Sequence, residues 1–561
     1  MSEVLDGIGQ KANFTFSYNT NLVNNQQRFD LAVINKSVRQ ILDQLFKGSI
    51  QYKVRGNYLI LLKAEAIDQT PKHLFVSGYI VDGKTGAKIP QASIYDQYSY
   101  ASAVSNDFGF FKIKLSAKYP TAALKISKQN YVSEALLLQL STADNKDITL
   151  LPLPSVAILP SSSAQVMATS PQATTPVFVF PKIDSTAKFK PAVQYKILGW
   201  LISAKQFIHD DNIRDTLHRQ AQFSFLPFMG TNGNLSGKIT NDYSLNALVG
   251  YSSGVNQLEI SGLGSLVHNN VNGVQLAGGV NVVGGNTNGV QAAGLLNADF
   301  GKMRGLQAAG IANIVADNVD GMQWAGITNI ALKNMKGYQA GALYNGVLGN
   351  MQGVQLSGSV NIVGGKLRGW QISPVNIAGV VQKGHQFGLV NFTDSSATTP
   401  IGLFSFVRKN GYRNLELSTN ELTRFNASVR TGMPHFYTII KLGYEPNVNT
   451  EPVWSYGFGL GMAISLNKKR RSFLTLEYIS SAVNYGQQED FNQWNHFNIL
   501  FDLHLAKHLS LAFGPTANYF VSNPDYEDYA PLTERIPKRF NFVNKSNCIG
   551  WYGFYLGLRF K

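Results

Sequence analysis

Cysteine is almost missing from this sequence, with Cys548 alone among 561 residues. A single thiol excludes an intramolecular disulfide framework and supplies no metal-site spacing. Charge is scarce too, at 15% of residues against about 25% in a typical soluble domain. No apolar run approaches the roughly 20 residues that a transmembrane helix requires. That excludes a helical membrane protein but not a β-barrel, whose strands alternate and average out in any hydropathy window. The net charge of +15 comes from dispersed Lys and Arg. No basic stripe or RNA-binding signature accompanies it, so nucleic acid is not an expected partner; anionic lipid head groups fit that charge better. No secretory leader is visible, so one has been removed or was never there. Glycine (52), phenylalanine (33) and tyrosine (25) are plentiful instead, which suits a large β structure offering little charged surface to water.

Residues 1–66 read as a compact α/β unit. Ser37-Val38-Arg39-Gln40 fits a capping box. Val38, Ile41, Leu42, Leu45 and Phe46 then share one helical face, and Lys47-Gly48 ends the helix. "IQYKV" and "YLILL", separated by Arg55-Gly56-Asn57, predict a hairpin. Through "VLDGIGQKANFTFSYNTNLV" and "SVRQILDQLFKGSIQYKVRGNYLILL", this segment resembles the short N-terminal domain of secretins and TonB-linked receptors. The resemblance implies a periplasmic domain used for protein contacts.

Residues 72–151 change to short alternating strands broken by turn residues, as in a β-sandwich. Gly78, Asp82, Thr85-Gly86, Pro90, Ala92, Asn106-Asp107, Gly109, Phe111 and Tyr131 make this segment similar to the carboxypeptidase regulatory-like domain. That resemblance implies a structural role and no peptidase, because a zinc peptidase needs His and Glu ligands and His73 is the segment's only histidine. Residues 152–220 read as a linker: a Pro/Ser/Thr-rich spacer, then a short amphipathic helix with Ile197, Leu201, Ala204 and Ile208 on one stripe beside Trp200. Too short to span a bilayer, that helix suits an interface or its own protein's surface.

Gly273, Gly289, Gly305, Gly321, Gly337, Gly353 and Gly369 recur every sixteen residues, each followed two positions later by glutamine. Within the repeats, 273–391, each unit reads Gly-x-Gln-x-(Ala/Ser)-Gly-x-x-Asn, then a turn. Alternate positions sort onto two strand faces. Val274, Leu276, Val280 and Val282 are apolar, while the opposite face begins at Gln275 and ends near Asn281. Two arrangements satisfy that pattern. As strands of a membrane barrel, the repeats point Gln275, Gln291, Gln307, Gln323, Gln339 and Gln355 into the lumen and put Trp324 and Trp370, with Trp200 upstream, at membrane interfaces. As a β-solenoid, identical units stack in constant phase, with an asparagine ladder as the expected stabiliser. A barrel alternates strand direction, which argues for the solenoid. The merging of the repeats into ordinary barrel-like segments on both sides favours the barrel, and residues 221–561 are therefore expected to form one.

From residue 422 onward, strands such as "FYTIIKLGYEP", "WSYGFGLGMAISL" and "FNILFDLHL" continue without the repeat. In the final "WYGFYLGLRFK", Phe554, Leu556, Leu558 and Phe560 alternate with Tyr555, Gly557, Arg559 and Lys561. This resembles the closing strand of bacterial outer-membrane barrels, and the repeats resemble a glycine-rich surface repeat of bacterial envelope proteins. The whole arrangement resembles outer-membrane proteins of the Bacteroidota type. The expected fold class is mainly β: a C-terminal barrel, with the repeats as barrel strands or alternatively a solenoid, behind a small α/β domain and a sandwich.

Other signals look chemical. "GYSSG", Gly250 to Gly254, matches a nucleophile elbow, but a β segment follows Ser252 where a helix is needed. His209, Asp210, Asp211 and His218 fit no common metal spacing and read as a solvated linker. "GFGLG", Gly457 to Gly461, suits a barrel wall better than a phosphate loop. No catalytic, cofactor or metal residues are assigned. The expectation is a non-enzymatic outer-membrane barrel with its N-terminal domains in the periplasm. It would serve as an accessory subunit of a secretion, barrel-assembly or uptake complex, with other envelope proteins and lipid or lipopolysaccharide as partners. The alternatives are a TonB-linked receptor, which lacks room for a plug in 152–220, and a passive diffusion channel.

Overall fold

Alternating apolar and polar positions, rich in β-branched and aromatic residues, put most of the chain into strands. The computed structural model describes residues 1–23, 34, 36–64, 73–140, 145–154, 203–446, 451–467, 472–486, 491–537 and 540–561.

One compact unit is built mainly from Met1–Phe75. Helices Ser2–Ala12 and Val38–Phe46 accompany a three-stranded sheet in which Tyr58–Lys63 lies between Thr15–Ser17, parallel, and Ile50–Arg55, antiparallel. The Ser37/Gln40 capping box forms as the sequence predicts, and so does the hairpin. Leu5, Leu42, Leu45, Phe46, Leu59 and Leu61 fill the core.

The other unit runs through to Lys561. It begins with two small sheets, Ile148–Leu150, His73–Asp82 and Phe110–Ser116 in one, and Ser102–Val104, Ser93–Asp96, Thr121–Ser127 and Glu134–Gln139 in the other. Ile80, Phe111 and Ile113 from the first and Ile94, Leu124 and Ile126 from the second are fully buried, as a sandwich requires. Asp82 locks one turn: its carboxylate accepts the backbone N–H groups of Lys84 and Thr85 and the Tyr131 hydroxyl.

The spacer between residues 155 and 202, with Ile197, Trp200 and Leu201, lies outside the described residues. Helix Ala204–Asn212 follows, with Ser203 and Gln206 as its capping box. It packs against its own protein. Gln206 donates to the Pro227 carbonyl, and the Asp210 carboxylate accepts the Tyr251 hydroxyl. On the sandwich side, Asn212 donates to the Gln91 carbonyl.

From Leu217–Leu226 to Phe404–Val407 the chain is a β-solenoid. The expectation of a barrel over all of 221–561 is therefore corrected, and the solenoid alternative is the one the chain adopts. One coil consists of a seven-residue strand, Met303–Ala309, a corner, and a four-residue strand, Ala312–Val315. The next coil, Val319–Ala325 and Thr328–Ala331, pairs with it in parallel, so Gly305 faces Gly321, Gln307 faces Gln323 and Asn313 faces Asn329. Glycine explains why translation wins over alternation. Gly305 has φ 120°, in the left-handed region, and a Cβ there would overlap the carbonyl of Gly289 one coil back. From Gly289 to Gly384 each repeat glycine stacks on the glycine one coil back, and Gly273 stacks on Gln257; antiparallel neighbours in a barrel cannot arrange such a column.

Eight strands close into a barrel: Tyr412–Thr419, Phe425–Met433, Phe436–Glu445, Val453–Ser465, Ser472–Tyr485, Asn492–Ala506, Leu509–Val521 and Cys548–Phe560, the last pairing back onto the first. All neighbours are antiparallel. The solenoid's final strand meets this barrel at one mouth, where the Ser405 N–H donates to the Thr431 hydroxyl and the Thr438 hydroxyl donates to the Leu403 carbonyl.

Candidate functional site

The barrel wall is polar inside and apolar outside. Along Val453–Ser465, Val453, Ser455, Gly459, Gly461 and Ala463 are buried, while Trp454, Tyr456, Phe458, Leu460, Met462 and Ile464 are exposed. Glycines 457, 459 and 461 are barrel-wall residues, as the sequence predicts, and their small size leaves room for large inward side chains. The closing strand behaves as its alternation predicts, with Phe554, Leu556, Leu558 and Phe560 outward and Tyr555 and Arg559 inward.

Inside, the side chains form a charge-paired cluster. Arg430 grips Glu477 through two nitrogens, each 2.8 Å from a carboxylate oxygen, and reaches Glu416 at 3.0 Å. Arg559 bridges Glu416 at 2.5 Å, Glu477 at 2.9 Å and Asp502 at 3.1 Å. The Tyr437 hydroxyl donates to Glu477, and that of Tyr555 to Glu416. Lys441 sits 4.5 Å from the Trp494 ring centre and 3.4 Å from His496 Nε2. Every one of these ionic groups is fully buried, which is tolerable only with partners. An eight-stranded barrel has an interior just wide enough for side chains to fill, and here they cross it. At the opposite mouth, Leu532 and Ile536 of the 522–547 connection pack on Val453, Val483, Trp494 and Trp551.

The solenoid has a different polar interior. Gln291, Gln307, Gln323, Gln339, Gln355, Gln371 and Gln386 each donate from Nε2 to the Oε1 of the glutamine one coil earlier, at 2.7–2.9 Å. Asparagines run the opposite way: Asn281, Asn297, Asn313 and Asn329 each donate to the next coil's asparagine at 2.8–2.9 Å and also to a backbone carbonyl. The two rows of amide dipoles therefore oppose each other. Gln275, Gln291, Gln307, Gln323, Gln339 and Gln355 are at most 1% exposed. They line a coil interior and not a barrel lumen, which corrects their expected place. An amide both donates and accepts, so a column of identical residues satisfies itself without water.

Two acids border the amide columns. Glu259 stands where the glutamine row begins, accepting from Gln275 and Asn246, and burial raises its pKa. Asp299 accepts from Gln291 at 3.0 Å and Gln307 at 2.9 Å; burial pushes its pKa up to about 7.

Trp324 and Trp370 lie exposed on the solenoid's outer surface, where Trp370 stacks on Phe387 at 5.4 Å. Trp200 lies outside the described residues. Of the residues read as a solvated linker, Asp211 and His218 are exposed, but His209 and Asp210 are not. His209 and Asp210 are buried beneath the sandwich and the first coil, with His209 Nδ1 2.9 Å from the Ser93 hydroxyl. Burial lowers the His209 pKa to about 4 and raises that of Asp210 to about 6. No group of residues with metal-binding geometry occurs among the described residues. Ser252 ends one buried strand and a second strand starts at Gly254, so the elbow geometry is missing.

The sequence did not single out Glu416, Arg430, Glu477 and Asp502, and it placed Arg559 only through the alternation of the last strand. The signal that could have found them is an ionic residue at an inward position of an otherwise apolar-alternating strand. No family model matches the chain, and no curated protein or solved structure matches it. No helix among the described residues is long and apolar enough to cross a membrane.

Proposed function

We propose that this chain is a non-enzymatic outer-membrane protein, anchored by its barrel and carrying its solenoid and N-terminal domains in the periplasm as contact surfaces for an envelope complex. The observation that carries the reading is the barrel's inversion: buried Arg, Glu and Tyr inside, with a continuous belt of exposed Leu, Phe, Ile and Trp outside. In water such a belt is a liability; in lipid it is the expected surface. The connections support the orientation. Connections 434–435 and 507–508 and both ends of the barrel share one mouth, while 420–424 and the long described stretch 522–537 lie at the other. Outer-membrane barrels keep short turns on the periplasmic side and longer loops outside.

The resemblances of the first two domains to receptor and regulatory modules favour contact with other envelope proteins. A diffusion channel fits less well because side chains cross the barrel, and a TonB-linked receptor fits less well because a solenoid stands where a barrel plug would be needed. Protease added to intact cells expressing the full chain tests the orientation. Cleavage within 522–547 with residues 1–407 protected is expected; cleavage of the N-terminal domains with the barrel loops intact would overturn it. Deleting residues 1–150 is expected to leave membrane insertion intact while abolishing co-purification of partners in mild detergent. If the full chain always emerges alone, the subunit role fails.

A further inference from the structure

The solenoid divides its coil by charge. Positions 274–282 and their equivalents 290–298, 306–314, 322–330, 338–346 and 354–362 contain no Asp, Glu, Lys or Arg. These positions form the end of each long strand, the corner and the short strand, and they expose Leu276, Ile311, Trp324, Ile327, Leu343 and Leu356. Ala292, Ala308 and Ala340 line a shallow groove of about 1040 Å³ along this edge. Six coils at about 4.8 Å spacing, each contributing about 26 Å of chain around the edge, make an apolar surface on the order of 700 Å². The largest apolar patch on a typical soluble monomer covers about 300–600 Å².

The other edge carries the charge. Between residues 273 and 369 it presents Lys302, Arg304, Lys333, Lys336, Lys366 and Arg368 against two outward acids, Asp317 and Asp320. The interior is inverted to match. The aliphatic core of Met303, Val315, Val319, Met335 and Val347 lies behind the charged edge, whereas the glutamine and asparagine columns lie behind the apolar one. The barrel shows the same inversion. Backbone groups at the apolar corner are satisfied as well: Gly310 N–H donates to the Ala293 carbonyl, Ile311 N–H to that of Leu295, and Ile327 N–H to that of Ile311. Paired backbone is what a lipid-facing corner requires.

We propose that this uncharged edge seats in the acyl layer of one leaflet of an anionic phospholipid membrane, with the basic residues of the other edge at head-group level. From the row of Arg304 to the corner is about 5 residues, or roughly 16 Å of strand. Even placed upright, that depth reaches into one leaflet and does not span a hydrocarbon core of about 30 Å. The inference rests on the reading of the barrel as a membrane anchor, and the solenoid's last coil is bonded directly to the barrel mouth. A solenoid seated in this way would fix the direction of the sandwich, which is bonded to the helix leading into the first coil, relative to the membrane.

The test uses the full chain reconstituted in phosphatidylcholine/phosphatidylglycerol vesicles with brominated acyl chains. The fluorescence of Trp324 is isolated by subtracting Trp324→Phe, and that of the barrel's outward Trp454 by subtracting Trp454→Phe. Bromolipid is expected to quench the Trp324 component by at least half while aqueous iodide does not reach it. Iodide access, or shielding from both quenchers as under a protein partner, would overturn the proposal while quenching of Trp454 leaves the barrel reading intact. If neither tryptophan is quenched by bromolipid, the barrel reading fails and this proposal fails with it.

Discussion

The barrel and the solenoid both bury polar side chains and expose apolar ones, yet they satisfy the buried groups by opposite chemistry. The barrel interior uses full charges, Arg430 and Arg559 against Glu416, Glu477 and Asp502. The solenoid interior uses neutral amides, with single acids only at Glu259 and Asp299. Symmetry explains the difference. Translation in the solenoid sets each residue on its own copy, and a column of like charges about 4.8 Å apart would repel. Only a group that is both donor and acceptor can stack on itself. Neighbouring strands of the barrel present different residues, so opposite charges can meet.

Substitutions can break that contrast, the largest in the barrel. Arg559→Leu leaves Glu416 and Glu477 to share Arg430 and takes the arginine partner from Asp502, and a loss of about 3–5 kcal/mol is expected. Urea unfolding in detergent micelles measures it, and a loss under about 1 kcal/mol would mean the cluster is not mutually dependent. Gln339→Arg, which a lumen-lining strand would tolerate, here buries a cation beside Gln323 and Gln355. The destabilisation should be similar in size, about 3 kcal/mol or more. Wild-type behaviour in the same assay would restore the barrel-strand arrangement.

Asp299 gives a pH signature. Its folded pKa, about 7, lies above the unfolded value, so the folded state holds a proton that the unfolded state has lost. That contribution is complete below about pH 4 and is lost as pH rises to about 7, on the order of 1.4 kcal/mol per pH unit. Comparing Asp299→Asn with the parent chain across that range isolates the slope; parallel curves would show that the carboxyl is not buried. The smallest effect is expected for Gln323→Leu, which orphans a donor on one side and an acceptor on the other at about 1–3 kcal/mol. No loss would mean that the ladder contributes nothing to the stacking.

Much of this was legible in the sequence. The sixteen-residue beat, the capping box at Ser37, the hairpin at Gly56 and the alternation of the last strand all rest on local periodicity, and each forms as expected. Closure was harder to read, because parallel coils and antiparallel barrel strands both alternate inward and outward side chains. The discriminating feature was the constant phase of Gly305 and its equivalents, which outweighs the resemblance of the flanking segments. Glu416 and Arg559 are 143 residues apart in the chain, and no spacing rule connects them. His209 and Asp210 were misread because their polarity suggested solvent, while the packing that buries them comes from residues before 100 and after 230.

Membrane association of the full chain tests the central claim most directly. Membranes from cells expressing it should retain the protein through alkaline carbonate extraction, and its gel mobility should shift on heating as a closed barrel unfolds. A chain that stays monodisperse in buffer without detergent, with no heat-dependent shift, would contradict the assignment of the eight-stranded barrel to lipid.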